Sequence, residues 1–304
     1  MTAPRDAAVP LASPWRLAGL RPLELARRVL ARARDDRIAD QSAKLSFYFL
    51  LSIFPLLYFL TSVFGLVLRG DQGLREMVRE TLAAVAPASA SELVETVLDE
   101  VSRGAGGLQL SIALLATVWT ASRGTAAVIE GLNVAYEIGD YRRWWRRNAL
   151  AIGLTLAFTA TVGVAMALLM YGARAAQWAA DRLGAGGALA SAWPALELLA
   201  ALAVVLLAFN VLYIVGPNVK NRRWHWLMPG TVAGVGLWLL ASYGFKLYLH
   251  FFDRYSATYG SIGAVVVLML WLYLTGISIL VGGELNSEIE KAARRGAAPV
   301  AKDE

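Results

Sequence analysis

The stretch YSATYGSIGAVVVLMLWLYLTGISILVGG, residues 255–283, decides how the rest of the chain is read. It carries no formal charge and is bounded by Arg254 and Glu284. As a helix rising about 1.5 Å per residue it would run roughly 43 Å, more than the roughly 30 Å hydrocarbon core of a bilayer. Its beginning, YSATYGSIGA, is small and hydroxyl-rich, whereas the following VVVLMLWLYLTGISIL is almost wholly apolar. GGELNSEIEKAARR then breaks the pattern. The expectation is a membrane span with a polar outer entry, an apolar shaft and an abrupt inner end at Glu284.

Composition extends that reading to the whole chain. The 304 residues are 57% hydrophobic and only 17% charged, with ten Trp. This is too apolar for an ordinary soluble domain. The absence of cysteine excludes disulfides, thiolate metal sites and cysteine catalysis. The net charge of +6 invites a nucleic-acid reading, which the placement of the basic residues makes unnecessary.

Working outward, the expected fold is all-α and polytopic, with six transmembrane helices at about 45–68, 106–124, 148–173, 194–216, 226–246 and 257–283. The first lies between Lys44 and Arg69 and is kinked by Pro55. The second either extends past Arg123 or turns there into an interfacial helix, because the helical pattern continues through Ile129, Leu132, Asn133 and Tyr136. Trp193-Pro194 is expected to open the fourth, and Gly216-Pro217-Asn218 to stop it. The fifth carries Gly230-x-x-x-Gly234, a spacing that lets two helices approach closely.

Residues 1–40 are expected to form a cytoplasmic segment, 41–290 the transmembrane domain and 291–304 a cytoplasmic tail. Within the first segment, Leu23, Ala26, Leu30 and Ala33 recur at helical spacing with Arg27, Arg28, Arg32 and Arg34 between them. That pattern suits either a basic helix lying on an anionic leaflet or a solvated leader to the first span. The 69–103 connection holds two apolar stripes and Ser89-x-x-Glu92, a capping box, and reads as two amphipathic helices in the first outward loop. Summed by side, 21 Lys and Arg fall with the termini and 8 on the opposite side. The positive-inside rule therefore places both termini in the cytoplasm, and the basic balance needs no nucleic acid.

No catalytic or metal-ligating set is visible. The two histidines, His225 and His250, fall in loops expected on opposite sides, and there is no His-Glu-x-x-His, Gly-x-Ser-x-Gly or phosphate-binding glycine loop. Two polar clusters remain. At the inner ends of the second and sixth spans stand Arg123, Glu130, Asn133, Glu284 and Asn286. They read either as a structural clamp, with Arg123 pairing with Glu284, or as a gate that opens when that pair breaks. At the outer end stand His250, Arg254, Tyr255, Ser256, Tyr259 and Ser261. These form either a polar entrance for a lipid head group or, with Ser256, Gly260 and Ala264 at four-residue spacing, a close-packing stripe.

Four stretches carry a family likeness: AKLSFYFLLSIFPLL (43–57); RGTAAVIEGLNVAYEI (123–138) with RRWWRRN (142–148); IVGPN (214–218) with WHWLMPG (224–230); and the opening stretch with GGELNSEIE. Together they resemble the YihY/BrkB family of bacterial inner-membrane proteins, formerly labelled ribonuclease BN. The likeness covers about residues 25–290, with Val215 where the family pattern usually has Tyr. It implies a six-helix, multi-pass inner-membrane protein tied to envelope integrity, serum resistance and lipid movement, and it transfers no catalytic residue. The expected function is therefore non-enzymatic movement or sensing of lipids or other amphiphiles. The rival is a scaffold recruiting envelope-assembly proteins through 69–103. A third reading, a membrane-embedded hydrolase or ribonuclease, has no catalytic set behind it. Membrane lipids are the expected partners, with no cofactor; a homo-oligomer is compatible with all three readings.

Overall fold

The computed structural model describes residues 17, 19–67, 107–183, 186–219, 228–251 and 255–297. Among them there are seven α-helices and no strand: α1 (Pro22–Asp35), α2 (Ile38–Val67), α3 (Gly107–Ala135), α4 (Trp144–Leu183), α5 (Gly186–Val215), α6 (Met228–Phe251) and α7 (Tyr255–Ala297). The 69–103 connection lies outside the described residues.

A helix stands at each of the six places where a span is expected. By length and composition, two stretches among the described residues qualify as membrane spans, Ala195–Val215 and Val265–Arg294. Neither resembles the core helix of a soluble protein. Leu198 and Leu199 are 72% and 61% exposed, and Val265, Val266 and Leu270 are exposed as well, so large apolar side chains face outward.

Three boundaries differ from expectation. The helix carrying the opening stretch continues past Glu284, where the span is expected to end, to Ala297, 43 residues in all, or about 64 Å. Its Gly282-Gly283 pair lies within the helix. A Cβ on Gly283 would press on Leu132, and one on Gly282 would collide with the Tyr213 hydroxyl; the glycines are there for close packing, and ELNSEIEKAARR beyond them is good helix-forming sequence. Second, α5 begins at Gly186, which puts Pro194 inside the helix rather than at its opening. Third, α6 reaches Phe251, beyond the end expected for the fifth span at 246. The alternative left open at Arg123 resolves as a single helix, α3.

The chain divides into two compact units, Met1–Ser46, Ala127–Arg143 and Thr161–Glu304 in the first, Phe47–Ala126 and Trp144–Ala160 in the second. The first is organised on α7, against which α6 and α1 pack, with α5 on α6. Gly230 and Gly234 make the α6–α7 approach possible: a Cβ on Gly230 would strike Asn286 and the Gly282 carbonyl, and one on Gly234 would meet Tyr213 and the Ser278 carbonyl. Helix α1 starts with Pro22 in its first turn and follows Arg21 as N-cap. It ends at Asp36 and Arg37, where a φ of 50° turns the chain into α2. Its Leu25 and Val29 are buried with Ile289 of α7, flanked by Leu17, Leu20, Val281 and Leu285. Leu23 and Leu30, 66% and 61% exposed, lie on the free side. The stripe expected on a leaflet is thus not the one that docks α1 on the protein.

In the second unit, Ser52 Oγ accepts the Gly124 N–H at 3.0 Å. Thr125 and Thr155 share a hydroxyl–hydroxyl bond of 2.7 Å.

Candidate functional site

The polar groups of the first unit gather where α7 passes the start of α2, the end of α3 and the start of α6. Ser278, Glu284, Asn286, Ser287 and Glu288 of α7 are all buried. Burying a polar group is costly unless it is hydrogen-bonded, so each partner matters.

The two asparagines expected in the inner cluster fasten backbone. Asn286 Oδ1 accepts the Gly230 N–H at 2.8 Å, satisfying one of the amides that the first turn of α6 leaves without an intrahelical partner. Asn133 Oδ1 accepts the Asn218 N–H at 2.9 Å, and its Nδ2 donates to Asp140 at 3.4 Å. The same corner holds Arg142. Its Nη1 donates to the Gly216 carbonyl at 2.9 Å, its Nη2 to those of Pro217 at 2.9 Å and Val215 at 3.3 Å. It thereby caps the end of α5, where the helix leaves its last carbonyls without intrahelical partners and carries partial negative charge. Burial lowers the pKa of Arg142 from its ordinary value, and the neighbouring Asp140 acts in the opposite sense.

Glu130 and Lys44 form an exposed pair at 2.7 Å between α3 and α2. A larger network ties α1, the turn after α3 and α7 together. Arg32 pairs with Glu137 and reaches Glu288 at 3.7 Å. Lys291 lies 3.2 Å from Glu137 and 3.3 Å from Glu288.

Glu284 stands apart from these pairs. It is fully buried, and neither carboxyl oxygen has a hydrogen-bond partner that is a donor among the described residues. Asp36, at the corner between α1 and α2, has an Oδ2 that is likewise buried without a donor among the described residues. Arg123, expected opposite Glu284, belongs to the second unit, where its guanidinium lies over the Trp119 ring at 4.7 Å. Trp119 in turn lies 6.1 Å from Trp144.

Of the expected outer entrance, Arg254 lies outside the described residues. His250 falls in the last turn of α6 and Tyr255, Ser256, Tyr259 and Ser261 in the first turns of α7; their side chains lie outside the described residues. Sequence reasoning passed over Asp36, Glu137, Lys291 and the capping role of Arg142. A signal existed only for Arg142, a basic residue in a cluster ahead of a Gly-Pro helix stop.

Comparison with known proteins adds lineage. The family model of virulence factor BrkB matches residues 29–304. The ribonuclease-like protein YfkH of Bacillus subtilis (strain 168) is 38% identical over 253 residues, spanning 83% of this chain and 90% of that one. A UPF0761 membrane protein of Xanthomonas oryzae pv. oryzae (strain PXO99A) is 24% identical over 274 residues, 88% of this chain. The chain spans 61% of that longer protein. No solved structure matches the chain.

Proposed function

Because the chain belongs to the virulence factor BrkB family of membrane proteins, we propose that it is a multi-pass protein of the bacterial inner membrane that supports the envelope by moving lipid or another amphiphile. In this reading α2 to α7 supply six spans with both termini in the cytoplasm, and the protein is not an enzyme. The ribonuclease-like name belongs to the Bacillus relative and supplies no nucleophile or base on this chain.

The observation that carries the reading is the row of buried polar groups on α7, with Glu284 left without a donor. Polar and ionisable groups along an apolar helix are expensive, and in membrane proteins they mark the pathway of a polar cargo. The segment that a scaffold would use, 69–103, lies outside the described residues.

The test is reconstitution in liposomes holding headgroup-labelled lipid in both leaflets. Label in the inner leaflet should become accessible to a membrane-impermeant quencher faster than in protein-free vesicles, and Glu284→Ala should slow it. Equal rates with and without protein, across anionic and zwitterionic lipids, would sink the proposal.

A further inference from the structure

Helix α1 holds four arginines, and the structure sorts them by partner. Arg28 is taken by Glu24, one turn before it, at 2.6 Å. Arg32 is turned to Glu137 and Glu288. Arg27 and Arg34 are exposed and pair with no acid among the described residues. These two fall in register with the exposed leucines. Leu23, Arg27, Leu30 and Arg34 follow one another at spacings of four, three and four, so they form one line along the helix. Leu25 and Val29, which dock α1 on Ile289, lie on the opposite side. Glu24 and Asp35 flank the line along one edge, and Glu24 is neutralised by Arg28.

The place of the helix limits what can cover that line. Helix α1 meets α7 at Val281, Leu285 and Ile289, towards the end of Val265–Arg294, a stretch long and apolar enough to cross a membrane. The contact therefore sets α1 beside the end of a membrane-crossing helix, at the level of the lipid headgroups. Single exposed leucines are ordinary on a protein surface. Two of them alternating with two unpaired guanidinium groups, at that level, fit one surface well. Leucine side chains enter the boundary between headgroups and acyl chains, and a guanidinium fork binds a phosphate through two parallel hydrogen bonds.

We propose that the free face of α1, formed by Leu23, Arg27, Leu30 and Arg34, is a docking surface for the anionic phospholipids of the leaflet at that end of the protein. The helix is already folded and held on α7 by its other face, so lipid binding carries no cost for ordering it. The surface rests on the chain being a membrane protein, not on its moving lipid. A failure of lipid movement in liposomes leaves it untouched, and its own failure leaves the movement untouched.

The chain has no cysteine, so Ala31→Cys, at an exposed position beside the line, gives a single site for a nitroxide spin label. The labelled full chain is placed in nanodiscs of phosphatidylcholine alone and of phosphatidylcholine mixed with phosphatidylglycerol. Collisions of the label with oxygen, which concentrates in the bilayer, are compared with collisions with a neutral nickel chelate, which stays in water. Adding phosphatidylglycerol should raise the first and lower the second. Arg27→Gln combined with Arg34→Gln should abolish that response, since each arginine near such a surface contributes roughly fivefold to the binding equilibrium. The charge-neutral control, Glu24→Gln combined with Arg28→Gln, should keep it. The proposal is overturned if the label meets water equally in both lipids, or if the response survives loss of Arg27 and Arg34. It is also overturned if the label is shielded from both collision partners in both lipids, as a covering protein segment would shield it. Should the arginine variant not fold, the comparison of the two lipids on the labelled chain still decides.

Discussion

Arg142 and Gly216 are 74 residues apart in the chain, yet Arg142 Nη1 donates to the Gly216 carbonyl at 2.9 Å. With its bonds to Val215 and Pro217, the guanidinium holds the last carbonyl of α5 and the two that follow it. A planar fork suits this task better than an ammonium, which is a point donor. Arg142→Ala should destabilise the protein by about 2 kcal/mol, the scale of charge-assisted hydrogen bonds at a partly exposed helix end. Arg142→Lys should recover roughly half of that loss. Thermal unfolding in detergent checks both, and an alanine variant as stable as wild type would remove the capping role.

The glycines of α6 offer an internal control. Gly230→Ala places a Cβ against Asn286 and the Gly282 carbonyl, and backbone on α7 cannot yield as a side-chain tip can. Overpacking of this kind costs about 1–3 kcal/mol or more. A Cβ on Gly236 of the same helix meets nothing within 4 Å, so Gly236→Ala should be neutral or stabilise by about 0.5–1 kcal/mol through helix propensity. Size-exclusion profiles of the two variants after mild heating should separate. Equal behaviour would mean that α6 and α7 do not meet closely at Gly230.

Local chemistry is what made parts of this arrangement legible. The Gly-Pro-Asn stop after Val215 and the Gly230–Gly234 approach follow from what those residues can do with their own backbone. The helix positions follow from charge-free runs. The role of the glycine pair ahead of Glu284 was not legible, because it is set by Tyr213 and Leu132 from elsewhere in the chain. Asn133 and Asn286 were recognisable as notable, but their roles depend on Asn218 and Gly230. Asp36 carried no signal at all. An aspartate in an Arg-Asp-Asp-Arg turn looks solvated until α7 is placed beside it.

Tyr213 is fully buried, and its hydroxyl donates to the Ile279 carbonyl at 2.8 Å, in the space that Gly234 and Gly282 leave open. A helix-interior carbonyl accepting this second bond ties α5 to α7. Tyr213→Phe keeps the ring and removes the bond, which should cost about 1–1.5 kcal/mol. Tyr213→Leu also removes the ring, which packs at 6.1 Å against Phe209, and should cost about 3 kcal/mol or more. If the phenylalanine variant unfolds together with wild type in a thermal melt, the hydroxyl contributes packing rather than a bond.

The last question is what holds α1 down. Two mechanisms are present on the same helix, the ion pairs of Arg32 with Glu137 and Glu288 and the contact of Leu25 and Val29 with Ile289. The Arg32 and Glu137 side chains are each 37% exposed, and a pair so open to solvent contributes about 0.2–1 kcal/mol and weakens with salt, while the buried Glu288 is reached only at 3.7 Å. Leu25 is 3% and Ile289 0% exposed, and cutting a buried leucine to alanine costs about 2–5 kcal/mol. The apolar contact should therefore dominate. Leu25→Ala should expose the turn at Asp36–Arg37 to a protease several-fold faster than in wild type, at low and high salt alike. Arg32→Ala should have a smaller effect, and in the wild type raising the salt concentration should reproduce most of it. If Arg32→Ala releases the helix as fully as Leu25→Ala, the charge network and not the leucine–isoleucine contact is what docks α1 on α7.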